Sequence, residues 1–266
     1  MTPYTLDVHL ARDSDEPPAP VLARDELTYE SWGRGLTPAQ YLDRERFLWR
    51  TAFAREGLCV FILRQGDTAV ASCEGYRVPV LTADGRAGHG YGIASVFVEE
   101  RLRGRGHASA LLRAVHEQLQ RAGALCTYLM SEVDPGIYAR LGYVPRPVIL
   151  RGFAPEPRPL APPLVPNDPP LTFIGVDEAA AVVPKLLEAR YQTRGALTLR
   201  LDFAQLDWHV QRGLYYTRVL GLPVPRTVGA VCGSAFALWS AGPLQNTLRV
   251  LCQYPGAVLA SATPTP

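Results

Sequence analysis

Arg103-Gly104-Arg105-Gly106-His107-Ala108 decides how this chain folds and what it can bind. The hexapeptide lies between an apolar stretch, Tyr91 to Val98, and an amphipathic one that opens at His107. A glycine-rich turn from strand into helix leaves several backbone N–H groups facing one point, at the positive end of the helix dipole. That arrangement binds phosphate. Gly104 and Gly106 permit turn geometry and close approach of the main chain that a side chain would block. Arg103 and Arg105 add positive charge. The turn lacks the Gly-x-Gly-x-x-Gly of a dinucleotide fold, and no acidic residue follows at the expected distance. It also lacks the Gly-Lys-Ser/Thr ending of a nucleotide P-loop.

Working outward, Ala108, Leu111, Leu112, Val115 and Leu119 fall on one helical face, with Arg113, Glu117, Gln120 and Arg121 on the wet one. Gly123 is a helix stop, and Leu125 to Met130 reads as a short buried strand. Strand, turn, helix, strand is a βαβ unit, so its two strands are expected to be parallel neighbours. Upstream, Tyr4 to His9 reads as an opening strand. Thr37-Pro38-Ala39-Gln40 is a capped helix start, and the helix is expected to run through Leu48, Trp49 and Phe53 to Gly57. Leu58 to Leu63 and Thr68 to Tyr76 form an antiparallel pair about Gln65-Gly66-Asp67, and Ala83-Asp84-Gly85 turns the chain towards the strand at Tyr91.

The loop resembles the Arg/Gln-x-x-Gly-x-Gly/Ala segment of the GNAT acetyltransferase superfamily, with Arg103 first, Gly106 central and Ala108 last. A shifted reading through Arg101, Gly104 and Gly106 also fits, but Ala108 leads directly into the helix and favours the first. Ile137-Tyr138-Ala139-Arg140-Leu141-Gly142-Tyr143 is similar to the Tyr-x-x-x-Gly-Phe/Tyr segment that closes that fold. The resemblance implies an α/β chain of GNAT type over residues 1–151: a mixed, mostly antiparallel sheet with a central, splayed parallel pair. It implies acetyl-CoA as co-substrate, its pyrophosphate held by Arg103, Gly104, Arg105, Gly106, His107 and Ala108, and its pantetheine arm beside Phe97 and Val98. It also implies that Tyr138 protonates the departing thiolate. A phenol with pKa about 10 can donate to a thiolate whose conjugate acid has pKa about 8.5. An aromatic packing role at a helix start is the other reading of Tyr138. His107 is expected to contribute only its N–H.

A narrower resemblance is to fungal-type lysine acetyltransferases. It rests on Trp32-Gly33, Leu36 to Leu42, Ala94 to Val98, Ser131 to Gly136, Leu206-Asp207-Trp208-His209, and Ala235 to Trp239. It implies a small-molecule amine acceptor, with free lysine first, and direct attack in a ternary complex. An amine of pKa about 10 is mostly protonated at neutral pH, so a base must take its proton. The strand from Tyr91 to Val98 carries no carboxylate. Glu74, in an otherwise apolar strand, is the substitute, unless it merely faces solvent on alternate pleats. Glu132 and Asp134 are rivals that could instead cap the following turn, and Trp32 is either a wall of the acceptor site or a cover for core. A protein, peptide or aminoglycoside acceptor stays open, as does a non-catalytic CoA-binding sensor.

The chain has 266 residues, 47% hydrophobic, with formal net charge +2. That is ample for a packed core and makes no electrostatic case for nucleic acid or membrane. Five scattered cysteines read as reduced residues of a cytoplasmic protein, and the five histidines show no ligand spacing, so no metal is expected. Proline-rich residues 152–170 are a stiff connector. Residues 171–266 form a smaller α+β domain: a strand at Leu171 to Val176, a helix over Asp177 to Gln192 interrupted at Pro184, a helix capped by Asp202, and strands at Val228 to Trp239 and Leu248 to Tyr254. This domain has no second phosphate turn. It is expected to wall the acceptor pocket or to form a homodimer.

Overall fold

In the computed structural model the residues described are 3–131, 135–145, 169–190, 197–200, 202–242 and 247–254. The first sheet runs β1 (Tyr4–Leu10), β2 (Leu58–Gln65), β3 (Thr68–Thr82), β4 (Ala87–Phe97), β5 (Thr127–Tyr128). All neighbours are antiparallel except β4 and β5, which are parallel. Helices α1 (Ala19–Trp32), α2 (Pro38–Trp49) and α3 (Ala52–Gly57) lie on one face of this sheet, and α4 (His107–Arg121) on the other. Alternation along β2 sorts the two cores. Phe61 and Leu63 meet Leu111, Leu112, Val115 and Leu119 of α4, whereas Val60 and Ile62 meet Val21, Trp49 and Ala54. Burying each such side chain is worth about 1.5–3 kcal/mol relative to leaving it exposed.

The helix expected from Thr37 to Gly57 is two helices. Thr37 makes the full capping box with Gln40, and Thr51 caps a new start by accepting from the Ala54 N–H. Helix α1 has no counterpart in the sequence reading, because its buried positions are Val21, Arg24, Asp25 and Thr28. Three of these four are polar, so no apolar stripe announces the helix. The short helix α5 is Gly136–Ala139.

The second sheet has the order β10 (Thr247–Tyr254), β9 (Ala235–Gly242), β8 (Thr227–Cys232), β6 (Leu171–Gly175). The single strand expected over Val228 to Trp239 is therefore a hairpin, turned at Gly233 with φ 58°. Helix α6 (Ala179–Arg190) runs through Pro184 without the expected interruption. Helix α7 (Phe203–Val219) is capped by Asp202 as expected, its carboxylate accepting from the Gln205 N–H at 2.8 Å. One element crosses over: β7 (Leu197–Leu199) pairs antiparallel with Val80 to Thr82 of β3 in the first sheet. The linker at 152–168 lies outside the described residues.

Candidate active site

Beyond Phe97 the chain makes one tight helical turn, Glu100–Leu102, and enters the glycine loop. Gly104 and Gly106 have φ of 76° and 82°, the left-handed region that L side chains avoid. Gly106 is the N-cap of α4 and has no side chain to cap with. The first intrahelical bond is Ala110 N–H to Gly106 O at 3.0 Å. The amides from Gly104 to Ser109 have no internal partner among the described residues. They form an open row of donors at a helix N-terminus, the chemistry an anion needs. His107 turns its side chain inward, where it is 5% exposed and its Nδ1 lies 2.9 Å from the Tyr4 hydroxyl. Only its N–H is left for a ligand. Arg103 folds back, Nε donating to Val98 O at 3.1 Å, while Arg105 and Ala108 flank Gly106 on either side of the cap.

On the strand side the parallel strands pair at Tyr91–Thr127 and Gly92–Tyr128, just after Leu125 N–H donates to His89 O at 2.8 Å. A Cβ on Gly92 would stand 2.9 Å from the Tyr128 ring, so glycine is what lets β5 approach there. Past this point β4 continues from Ile93 to Phe97 without β5. Within that free stretch β4 carries a bulge. Ser72 pairs with Phe97 but Glu74 with Ala94, so β4 has one extra residue. Ser95 absorbs it at φ 52°, the only positive φ outside glycine among the described residues. Such a conformation costs on the order of 1–3 kcal/mol and persists where the surroundings enforce it.

One enforcing contact is the Ser95 hydroxyl, which donates to Glu74 Oε2 at 2.8 Å. Glu74 is 9% exposed, so it does not face solvent on alternate pleats. Its other partners are the Tyr76 hydroxyl at 3.1 Å and Arg24 Nη1 at 2.7 Å. Burial alone would raise the Glu74 pKa, but the Arg24 charge and the three donors hold it below the usual carboxylate range. Arg24, buried on α1, also reaches Asp25 at 2.8 Å. Beside these residues lies a cavity of about 250 Å³, lined among others by Arg24, Leu27, Ser72 and Phe97.

The Asp25 carboxyl is pushed up to about 7, because burial outweighs an arginine whose charge is already shared with Glu74. The two carboxylates therefore have opposite effects on stability. Glu74 stabilises the fold above its unfolded pKa and loses that as pH falls through its lower folded pKa. Asp25 ionises in the unfolded chain well before it does so in the fold, so its contribution declines from about pH 4 to about pH 7. Melting temperature is expected to be several degrees higher at pH 5.5 than at pH 8, and Asp25→Asn to flatten that difference. An undiminished difference in the variant would exclude Asp25 as its source.

The family description "Acetyltransferase (GNAT) domain" matches residues 26–146. Residues 26–146 are a GNAT acetyltransferase domain. Likeness of fold extends further: a GCN5-related N-acetyltransferase from Kribbella flavida superposes on 95% of the chain with TM-score 0.55 at 16% identity. The chain spans only 57% of that protein. A GCN5-related N-acetyltransferase from Ralstonia eutropha covers 57% of the chain and 99% of its own length, at 18% identity and TM-score 0.40. An acetyltransferase from Clostridium acetobutylicum, solved with acetyl-CoA, covers 56% of the chain and 96% of its own length, at 13% identity and TM-score 0.40. No curated protein matches the sequence. The GNAT family uses acetyl-CoA to move acetyl groups to amines, and residues 26–146 carry the match to its domain.

In the GNAT domain the remaining sequence candidates divide. Phe97 ends β4 with its ring 5.9 Å from that of Trp32, which also lies 5.9 Å from the Arg24 guanidinium. Trp32 and Phe97 therefore stand together beside the Glu74 cluster. Val98 packs with the α4 core on the other face, and its carbonyl accepts one bond from Arg103. Tyr138, on α5, packs against the same core, with its ring edge-on to Tyr143 at 5.9 Å. Glu132 and Asp134 lie outside the described residues. Among the described residues no group of His, Cys, Asp and Glu could hold a metal, and no helix is long and apolar enough to cross a membrane.

The residues that sequence reasoning missed come from α1, α2 and α7. The Tyr215 hydroxyl lies 2.7 Å from Gln40 O and 2.9 Å from Asp43 Oδ2, two acceptors that share its one proton. The Tyr216 hydroxyl is hydrogen-bonded to Arg44 of α2, which is itself ion-paired with Glu45. Gln205 bonds the Tyr128 hydroxyl on β5. Helix α7 of the second unit is thus seated at one end on the parallel pair and at the other on α2.

Proposed function

We propose that this enzyme acetylates a small amine from acetyl-CoA by direct attack in a ternary complex, with free lysine the first acceptor to test. The observation that carries the reading is Glu74: an ionised, buried carboxylate hydrogen-bonded to Ser95 at the bulge where the parallel strands part. Acetyl-CoA supplies an activated thioester. The amides of Gly104 to Ala108 would hold its pyrophosphate, and the free edge of β4 from Ile93 to Phe97 its pantetheine arm. On the other face Glu74 receives the amine's proton, through Ser95 or a water, and Tyr138 gives one to the leaving sulfur.

A small acceptor is favoured by the seat of α7, which lies against the face an extended peptide would need, and by the modest cavity between Arg24 and Phe97. The deciding measurement is thiol release from acetyl-CoA in the presence of free amino acids, polyamines, aminoglycosides and peptides. Turnover with lysine above the rest supports the reading, and selective turnover of peptides sinks it. Tyr138→Phe is expected to lower kcat about 10- to 100-fold with an unchanged Kd for acetyl-CoA, measured by titration calorimetry. Full turnover in that variant would remove Tyr138 from the chemistry.

A further inference from the structure

The Tyr76 hydroxyl is one of three donors that fix Glu74, and the Tyr76 ring is held by two others. Phe53 of α3 stacks on it, centroids 5.8 Å apart and planes 7° from parallel. Trp208 meets it edge-on at 5.6 Å and touches Phe53 at 6.5 Å. Trp208 belongs to α7, beyond the linker. Its indole Nε1 is buried without a partner among the described residues, so no hydrogen bond holds the ring there. What fixes it is aromatic packing, with the Arg212 guanidinium 5.8 Å from its centroid. A buried donor left unpaired is unfavourable, and its retention marks a ring whose shape matters.

We propose that Trp208 is a positioning residue for acetyl transfer: the second unit reaches across to lock Tyr76, and Tyr76 in turn fixes the carboxylate that receives the amine's proton. The inference rests on the reading of Glu74 as proton acceptor. The chain of contacts is Trp208 to Tyr76 to Glu74 to Ser95, and it ends at the bulge of β4. Without Trp208 one side of Tyr76 opens to water, its hydroxyl leaves the carboxylate, and Glu74 keeps Arg24 and Ser95 only.

The test is a double-mutant cycle between Trp208→Ala and Tyr76→Phe in the full chain. Each variant alone is expected to lower kcat roughly 10-fold and to leave KM for acetyl-CoA within about 2-fold. The two together are expected to lose no more than either alone, because they break one path. Trp208→Phe keeps an aromatic edge and should recover most of the turnover. Both single variants should also raise the acid limb of the kcat profile. The groups facing Glu74 that could otherwise shape that limb are Arg24 and Asp25 on α1, Glu45 on α2 and Cys73 on β3. Additive losses, or a Trp208→Phe variant as poor as Trp208→Ala, would overturn the proposal. If the unmodified chain turns over no amine at all, the functional reading fails first. The same cycle read on the Glu74 carboxyl titration by NMR then decides the positioning role without activity: a rise in both variants supports it, and no change in Trp208→Ala refutes it.

Discussion

Gly106→Trp is expected to abolish acetyl-CoA binding while leaving the protein folded. A Cβ built on Gly106 meets nothing within 4 Å, so the indole has open space and displaces no core residue. The internal cost is the left-handed backbone at φ 82°, about 1–2 kcal/mol for an L side chain. The new ring would occupy the space in front of the amides of Gly104 to Ser109, where the phosphates must sit to reach them. Loss of those charge-assisted bonds should weaken binding at least about a hundredfold, since each is worth about 1.5–3 kcal/mol. Calorimetric titration of CoA, beside a thermal melt lowered by no more than a few degrees, checks both halves. Ordinary CoA affinity in a folded Gly106→Trp variant would show that the loop does not hold the pyrophosphate.

Glu74→Gln is expected to lower kcat by about a hundredfold to ten-thousandfold with little change in acetyl-CoA affinity. The amide oxygen can still accept from Ser95 and Tyr76, so the geometry at the bulge survives, while the NH2 turned towards Arg24 gives up that ion pair. Arg24 keeps one anionic partner, Asp25, whose carboxyl should then fall towards the ordinary range. Because Glu74 already ionises below that range, it carries its charge across the neutral region. The acid limb of the kcat profile should accordingly lie well below neutrality, and any further rise of activity towards alkaline pH should follow deprotonation of the acceptor amine. A Glu74→Gln enzyme with near-normal turnover and a lowered melting temperature would mean that the carboxylate is only an anchor for Arg24, and the base would have to be sought elsewhere.

Those two experiments address the parts of the site that differ most in how visible they were from sequence. The loop, the helix behind it and the order of strands in the first sheet were legible because each obeys a local rule. Glycines stand where φ is positive, α4 has an unbroken apolar stripe, and Thr37 with Gln40 satisfies a capping box. Glu74 could be picked out as a carboxylate in an apolar strand. Its partners could not. Arg24 and Asp25 sit on a helix whose inner face is polar, so nothing periodic points to it. The extra residue at Ser95 is a matter of register between two strands, which a single strand does not reveal. The contributions of Trp208, Tyr215 and Tyr216 depend on how α7 docks, and their spacing along α7 says only that one face is aromatic.

The three residues of β7 give that docking a wider meaning. They finish the far end of β3 with backbone hydrogen bonds, although more than a hundred residues of chain separate the two strands. The main-chain groups of β3 at Val80 to Thr82 are thereby paired, and only a three-residue strand is left at that border. Trimming the gene at the proline-rich stretch would strip the border from Val80 to Thr82 and bare Phe53 and Tyr76 in one cut. The seam visible in the sequence therefore does not mark where this enzyme can be divided into independent working parts.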